Sequence, residues 1–265
     1  MSYKTIIFNI KNDIARLTLN RPKVYNSLSP LMLDELLDVM QKIDPDKGIK
    51  ALLVNAKGKG FCAGADLAGG ALDFQSNEPV GEQVFRVMEE RFNPMLDAIY
   101  NLKVPTIAAI DGVVAGGGVG LALTFDIVVA TPKSQFSLVF LPQLGIIPDM
   151  GASWHMPHKL GIPKAMGHAF LGEPISGEEA ARTGMIWKCL PEDKFESGIN
   201  SILKRLSHGP TRAFPKARHA FGKALKNSLP EQLEYEAEIQ RELCNSPEFK
   251  EGVHAFVEGR KPDFS

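Results

Sequence analysis

The sequence predicts an α/β fold with an α-helical C-terminal part, on three observations. Short β-branched apolar runs at 49–54 and 107–110 suit strands buried on both faces. Each run leads into a glycine-rich junction, residues 58–67 after the first and 111–118 after the second. From Ala152 onward the chain reads as one amphipathic helix after another, so strand–turn–helix units come first and a helical tail follows. At 265 residues and 44% hydrophobic, the chain can bury a sizeable core as one large domain or a domain with an appendage.

Taken in order, residues 5–9 and 14–19 read as two strands of a hairpin around Lys11-Asn12-Asp13. Asn20-Arg21-Pro22 ends the second strand. Ser29 is placed to cap, and Pro30 to begin, a helix over 31–43 with Leu33, Leu36, Leu37 and Met40 on one face. Residues 68–80 are small and polar and read as a mobile loop. A helix is expected over 83–102, kinked or split at Pro94. Asp111-Gly112 is a turn signal, 119–125 a short apolar helix, and 125–130 and 135–138 short strands. A loop over 144–148 leads to Asp149-Met150-Gly151. Helices are then expected over 152–160, 163–171, 176–183, 192–207, 210–226, 230–245 and 247–258, with Ser176 and Glu179 forming a capping box. Residues 1–200 are expected to form the core with the site. Residues 201–265 have amphipathic helices with nothing large to pack on, which suits a subunit interface.

A formal net charge of −1 gives no electrostatic case for nucleic acid or an anionic membrane surface. The start MSYKTIIFNI lacks the features of a signal peptide, and no apolar stretch reaches membrane-spanning length without a breaker. Cys62, Cys189 and Cys244 are odd in number and far apart, so they suggest neither a disulfide framework nor a metal site. The expectation is a reducing cytoplasm.

Gly116-Gly117-Gly118 removes three successive side chains at a helix start, at roughly 1 kcal/mol per Gly against Ala in a helix interior. One reason is close packing of the helix start on a sheet. The other is a ligand that must touch bare N–H groups where the helix dipole favours negative charge. The spacing fits neither the dinucleotide fingerprint nor a phosphate-binding P-loop.

Phe61-Cys62-Ala63-Gly64-Ala65-Asp66-Leu67, then Pro105-Thr106-Ile107-Ala108-Ala109, Asp111-Gly112, Ala115-Gly116-Gly117-Gly118 and Asp126-Ile127 resemble the enoyl-CoA hydratase/isomerase (crotonase) family. Asn20-Arg21-Pro22 with Asn26-Ser27-Leu28, and the ending Ala255-Phe256-Val257-Glu258-Gly259-Arg260, extend the resemblance over essentially the whole chain. It implies a crotonase-like spiral of ββα units with a C-terminal helical trimerisation region, as a homotrimer or dimer of trimers. It implies an acyl-CoA substrate, whose coenzyme A is part of the substrate, with no further cofactor and no metal. The backbone N–H groups of Ala65 and Gly117 would bind the thioester carbonyl. The substrate would also lie near Lys23, Val24, Ala63, Asp66, Leu67 and Gly116. Phe140 would line the acyl pocket or else belong to the core. Arg260 or Lys261 could reach a neighbouring subunit's CoA, although the family's usual Lys position holds Gly259 here.

Taking a proton from the carbon beside a thioester puts negative charge on its oxygen, which two aimed N–H donors stabilise. Hydration needs further groups, to activate water and to manage the proton. The two positions at which hydratases of the family carry carboxylates hold Gly120 and Phe140 here. What remains is Asp149, in a stretch similar to isomerases of the ring 1,2-epoxyphenylacetyl-CoA isomerase type, which share the following Trp154 and the later Gly184-Met185-Ile186-Trp187. Asp149 is therefore expected to shuttle one proton, its pKa raised by apolar Leu141, Ile147 and Pro148. A helix N-cap is its other reading. Rival functions are a hydratase drawing its base from Glu82, Glu89 or Glu90, a nucleophilic Asp149, and a non-catalytic thioester-binding subunit. His155 and His158 read as surface histidines rather than a metal pair, and Cys62 as a packed small hydrophobe. Asp66 reads as a helix cap, Asp126 as a turn former, and Glu89, Glu90 and Arg91 as a solvated face.

Overall fold

The computed structural model describes residues 3–44, 48–67, 69, 72–73 and 75–264. Asn12 and Asp13 take left-handed backbone angles (φ 51° and 61°), the requirement of a tight hairpin turn. They join β1 (Ile6–Lys11) to β2 (Ile14–Leu19) antiparallel. Ser29 accepts a hydrogen bond from the Met32 N–H at 3.3 Å and Pro30 opens α1 (Pro30–Lys42), as its sequence requires.

Repeated turns of a spiral follow. In each, one strand joins a six-stranded sheet and the next leaves it, after a few residues, for a four-stranded one. β3 (Ala51–Ala56), β5 (Thr106–Ile110) and β7 (Ile127–Ala130) line up parallel beside β2. β4 (Gly60–Cys62), β6 (Val113–Ala115) and β8 (Gln135–Ser137) pair in parallel in the smaller sheet. Two-residue strands close the edges, β9 (Ile175–Ser176) antiparallel on β8 and β10 (Lys188–Cys189) parallel on β7. The sheet orders are β1-β2-β3-β5-β7-β10 and β4-β6-β8-β9. β4, β6, β9 and β10 were not expected from sequence. At two or three residues they are too short to show a period of two.

α2 (Val80–Val87), a π-helical turn (Met88–Phe92) and α3 (Asn93–Tyr100) run in succession, and Pro94 falls in the first turn of α3. The π turn therefore absorbs the break that proline imposes. The loop expected over 68–80 lies partly outside the described residues. α4 (Gly117–Thr124) is buried along its whole length, as an all-apolar helix must be. Then come α5 (Ala152–Leu160), α6 (Ile162–Leu171), α7 (Gly177–Arg182), α8 (Glu192–Ser207), α9 (Ala213–Ala224), α10 (Leu229–Leu243) and α11 (Pro247–Val257). The Ser176 hydroxyl accepts the Glu179 N–H at 3.1 Å at the start of α7.

The main core lies between the sheets and helices α1, α3 and α4. A second cluster packs Ile199, Leu203 and Leu206 of α8 on the opposite face of the large sheet. Helix α9 is held to this core by Arg218, 7% exposed at its side chain. Its Nε and Nη2 donate to the two oxygens of Asp126 at 2.5 and 2.7 Å, and its remaining contacts go to the carbonyls of Tyr100, Leu102 and Val104. Asp126 also accepts from the Thr106 N–H and hydroxyl, so it is the centre of a partly exposed ionic network rather than a local turn former. The C-terminal helices leave Phe221, Leu229, Phe256 and Val257 exposed, Phe256 at 87%. Among the described residues no helix is long and apolar enough to cross a membrane.

Candidate active site

The two glycine-rich junctions meet. A Cβ at Gly118 would overlap the Cys62 carbonyl, so the start of α4 presses directly on β4. Gly64 sits at φ +87°, and a Cβ there would lie 2.9 Å from the Gly117 nitrogen. Close packing thus accounts for Gly118, while Gly117, packed against Met150, also opens the helix. As the first residue of α4 it has an N–H with no acceptor inside the helix. Its neighbour across the junction is Gly64, and the next residue, Ala65, pairs with Leu28: the Leu28 N–H donates to the Gly64 carbonyl and the Asp66 N–H donates to the Leu28 carbonyl. Successive N–H groups of extended chain point to opposite sides, so the Ala65 N–H points away from Leu28. Gly116, at φ 54°, donates its N–H to Ser137, and a Cβ on it would stand 3.7 Å from the Ala63 carbonyl oxygen.

Asp149 is brought to the same place. A Cβ at Gly117 would lie 3.5 Å from Asp149 Oδ1 and would overlap the Met150 sulfur. The turn that carries Asp149 is unusual. Met150 adopts φ 49°, which a long side chain rarely accepts, and Gly151 follows at φ 79°. The Asp149 carbonyl accepts the Ala152 N–H at 2.9 Å. The N-cap of α5 is Gly151, with no side-chain capping bond, so the cap reading of Asp149 is corrected: its carboxyl is not used in that way. Burial pushes the Asp149 carboxyl up from 3.8 to about 6.

The positions of the two hydratase carboxylates are both closed. A Cβ at Gly120 would overlap the Met150 carbonyl and approach the Ala152 nitrogen to 3.0 Å. Phe140 is 4% exposed and belongs to the main core. Glu82, Glu89 and Glu90 are exposed, the last two as their reading as a solvated face predicts.

Lys23 and Val24 are exposed on a 3-10 turn (Pro22–Val24), and Leu67 is 47% exposed. What holds this segment against the site is Asn26, fully buried at φ 56°, a residue that motif reading quoted without a role. Its Oδ1 accepts the Arg21 N–H at 2.7 Å, and its Nδ2 donates to Lys57 and Gly60 carbonyls. The Tyr25 carbonyl then accepts the Ala63 N–H. Asp66 is 7% exposed and forms an ion pair with Arg21 at 2.7 Å, off the axis of a well-aligned hydrogen bond. The cap reading of Asp66 is therefore corrected to an ionic tie between the first loop and the junction. At the C-terminus, Arg260 pairs with Glu251 and Glu258 of its own chain.

Among the described residues no His, Cys, Asp and Glu cluster suits a metal ion. His158 is exposed as expected, but His155 is only 8% exposed, a correction to its reading as a surface residue. Burial pushes its pKa down from 6.5 to about 4. Its partner, Thr124, lies 31 residues away, a distance no local pattern reveals. Cys62 is packed and fully buried, and burial pushes its thiol up to about 12.

The Asp149 carboxyl and the first N–H of α4 thus share one glycine surface. Such a set can hold a carbonyl oxygen while moving a proton at the adjacent carbon. A family model described as enoyl-CoA hydratase/isomerase matches residues 9–265. The chain is 38% identical to a probable enoyl-CoA hydratase of Rhodobacter capsulatus, over 100% of this chain and 99% of that relative. It is 35% identical to the 1,2-epoxyphenylacetyl-CoA isomerase of Escherichia coli, over 98% of each chain. The crystal structure of an enoyl-CoA hydratase from Bacillus anthracis superposes with a TM-score of 0.88 at 28% identity, covering 98% of each chain.

Proposed function

The chain belongs to the enoyl-CoA hydratase/isomerase family, and we propose that within it the protein is an isomerase that shifts a double bond in an unsaturated acyl- or aryl-CoA thioester. The observation that carries this reading is the position of Asp149 Oδ1 beside Gly117, with the alternative carboxylate position closed at Gly120. In this reading the Ala65 and Gly117 N–H groups hold the thioester oxygen. Asp149, as the carboxylate, takes a proton from the α-carbon of a 3-enoyl thioester. The electrons of that C–H bond move into a dienolate whose charge rests on the held oxygen. The carboxyl group returns the proton at the γ-carbon, the enolate collapses, and the double bond lies between the α- and β-carbons. No net proton or redox equivalent is consumed. A half-buried carboxyl near 6 suits the work, since it accepts a proton at neutral pH and is acidic enough to give it back.

Lys23, Val24, Ala63, Asp66, Leu67 and Gly116 are proposed to lie along the thioester and its CoA, and Phe140 to back the acyl group from the core. The exposed apolar side chains of α9 and α11 are proposed to meet a second copy in a cytoplasmic homotrimer or dimer of trimers. A cavity of about 660 Å³ lined by Phe221, Leu243, Phe249 and Phe256 supports that use.

The test incubates 3-enoyl-CoA and 2-enoyl-CoA with the wild type and Asp149→Asn in heavy water, following absorbance and deuterium content. The isomerase reading expects conversion of 3-enoyl-CoA, little hydroxyacyl product, and loss of both conversion and exchange in the variant. Hydroxyacyl-CoA as the main wild-type product would favour hydration, the activity named for the Rhodobacter relative. Binding without turnover would favour a non-catalytic subunit.

A further inference from the structure

The mechanism needs Asp149 to hold one orientation, yet its turn contains a methionine in a left-handed conformation. Such a conformation persists only where the surroundings over-determine it. Met150 is braced on one side by α4, whose Gly120 meets the Met150 carbonyl. The other side is braced through α5. The His155 N–H donates to the Gly151 carbonyl at 2.8 Å, and its ring lies so close that a Cβ on Gly151 would stand 3.4 Å from His155 Cδ2. The same ring reaches Thr124, the last residue of α4, with His155 Nε2 3.3 Å from the hydroxyl oxygen. That hydroxyl already donates its proton to the Gly120 carbonyl at 2.9 Å. A hydroxyl has one proton to give, so toward His155 it accepts, and Nε2 must carry the hydrogen. Thr124 and His155 are 9% and 8% exposed, and Trp154 covers the imidazole edge-on at 4.9 Å between ring centroids.

We propose that His155 and Thr124 are positioning residues, which clamp the first turn of α5 to the last turn of α4 and so fix the Asp149–Gly151 turn opposite Gly117. They touch no reacting atom. The clamp closes a circuit from Gly120 through Thr124 and His155 to Gly151, and Asp149 sits at its open end. Its consequence for turnover rests on Asp149 being the base, as proposed above.

The test compares His155→Phe, Thr124→Val and His155→Gln with the wild type, reading kcat, KM for a 3-enoyl-CoA, and deuterium exchange at the Ala152 amide. Misplacement of a catalytic group by about 1 Å costs on the order of 100-fold, so the Phe and Val variants are expected to lose about 10- to 100-fold in kcat. KM should stay within about twofold, because the amides that hold the thioester are untouched. The Ala152 amide should exchange faster in both. His155→Gln keeps an N–H donor and should recover most of kcat and of the protection, which a merely space-filling role would not produce. Should His155→Phe not fold, the nearly isosteric Thr124→Val carries the comparison. A kcat within twofold of wild type in a folded clamp variant overturns the proposal, and so does unchanged Ala152 exchange. If the wild type isomerises nothing, the isomerase reading fails, and the exchange measurement alone then decides the clamp.

Discussion

Replacing Asp149 by Asn separates two consequences of burying a carboxyl beside Gly117. The substitution keeps shape and removes the base, so turnover of a 3-enoyl-CoA should fall by about 10²- to 10⁴-fold, the usual contribution of a positioned general base. Stability should move the other way. The group sits near 3.8 when unfolded and about 6 when folded, so its ionised form is the less comfortable one in the native state. A raised pKa contributes stability that is fully present below about 3.8 and is lost as pH rises through about 6. The shift corresponds to about 3 kcal/mol for a fully buried group. Because Asp149 is only half-buried, solvent screening reduces this to about 2 kcal/mol. Asn has no charge to bury, so the variant should be more stable than the wild type at pH 7 by about that amount, roughly 4 °C in Tm for a chain of this size. The gain should shrink to roughly half a kcal/mol or less near pH 4 and vanish below about pH 3, where the wild-type carboxyl is protonated in both states. Thermal unfolding between pH 4 and 8, run beside the isomerase assay, reads both. A variant within tenfold of wild-type turnover, or a Tm difference that does not grow between pH 4 and pH 7, would refute the reasoning.

Gly120→Ala should drive a methyl into the Met150 carbonyl, costing about 1–3 kcal/mol in stability and displacing Asp149, with turnover falling alongside. For the same reason Gly120→Glu should yield no hydratase, checked by hydroxyacyl-CoA formation. Arg218→Met removes a buried guanidinium from the partly exposed Asp126 and from three backbone carbonyls and should cost about 1–3 kcal/mol by denaturant unfolding. Cys62, buried with its thiol near 12, should resist thiol reagents in the native protein and react only on unfolding. Phe256→Glu, at a residue 87% exposed, should lower the oligomeric state in sedimentation while leaving helical content unchanged.

Parts of this arrangement were legible in the sequence because they depend on local rules. Ser29-Pro30 announces α1, and β5 announces itself by an uninterrupted apolar run. The glycine clusters mark where backbone must approach backbone, and the structure shows the reason at Gly118 against Cys62. Asp149 stood out through the resemblance of its surrounding stretch to known isomerases. The structure adds that its carboxyl faces Gly117 and is not consumed by capping. What was illegible joins distant residues. Arg218 meets Asp126 across 92 positions, and His155 meets Thr124 across 31. Neither pair disturbs the local periodicity, so Asp126 read as a turn former and His155 as a surface residue. Gly120 was noticed for the carboxylate it lacks, and only coordinates reveal that the Met150 carbonyl fills the space a side chain would need.

A crystal structure of the protein with an unreactive acyl-CoA thioester tests the central claim most directly. The account predicts the thioester oxygen about 2.7–3.1 Å from both the Ala65 and Gly117 nitrogens, with an Asp149 oxygen close to the α-carbon. A thioester oxygen bound elsewhere, or an α-carbon out of reach of Asp149, would contradict it.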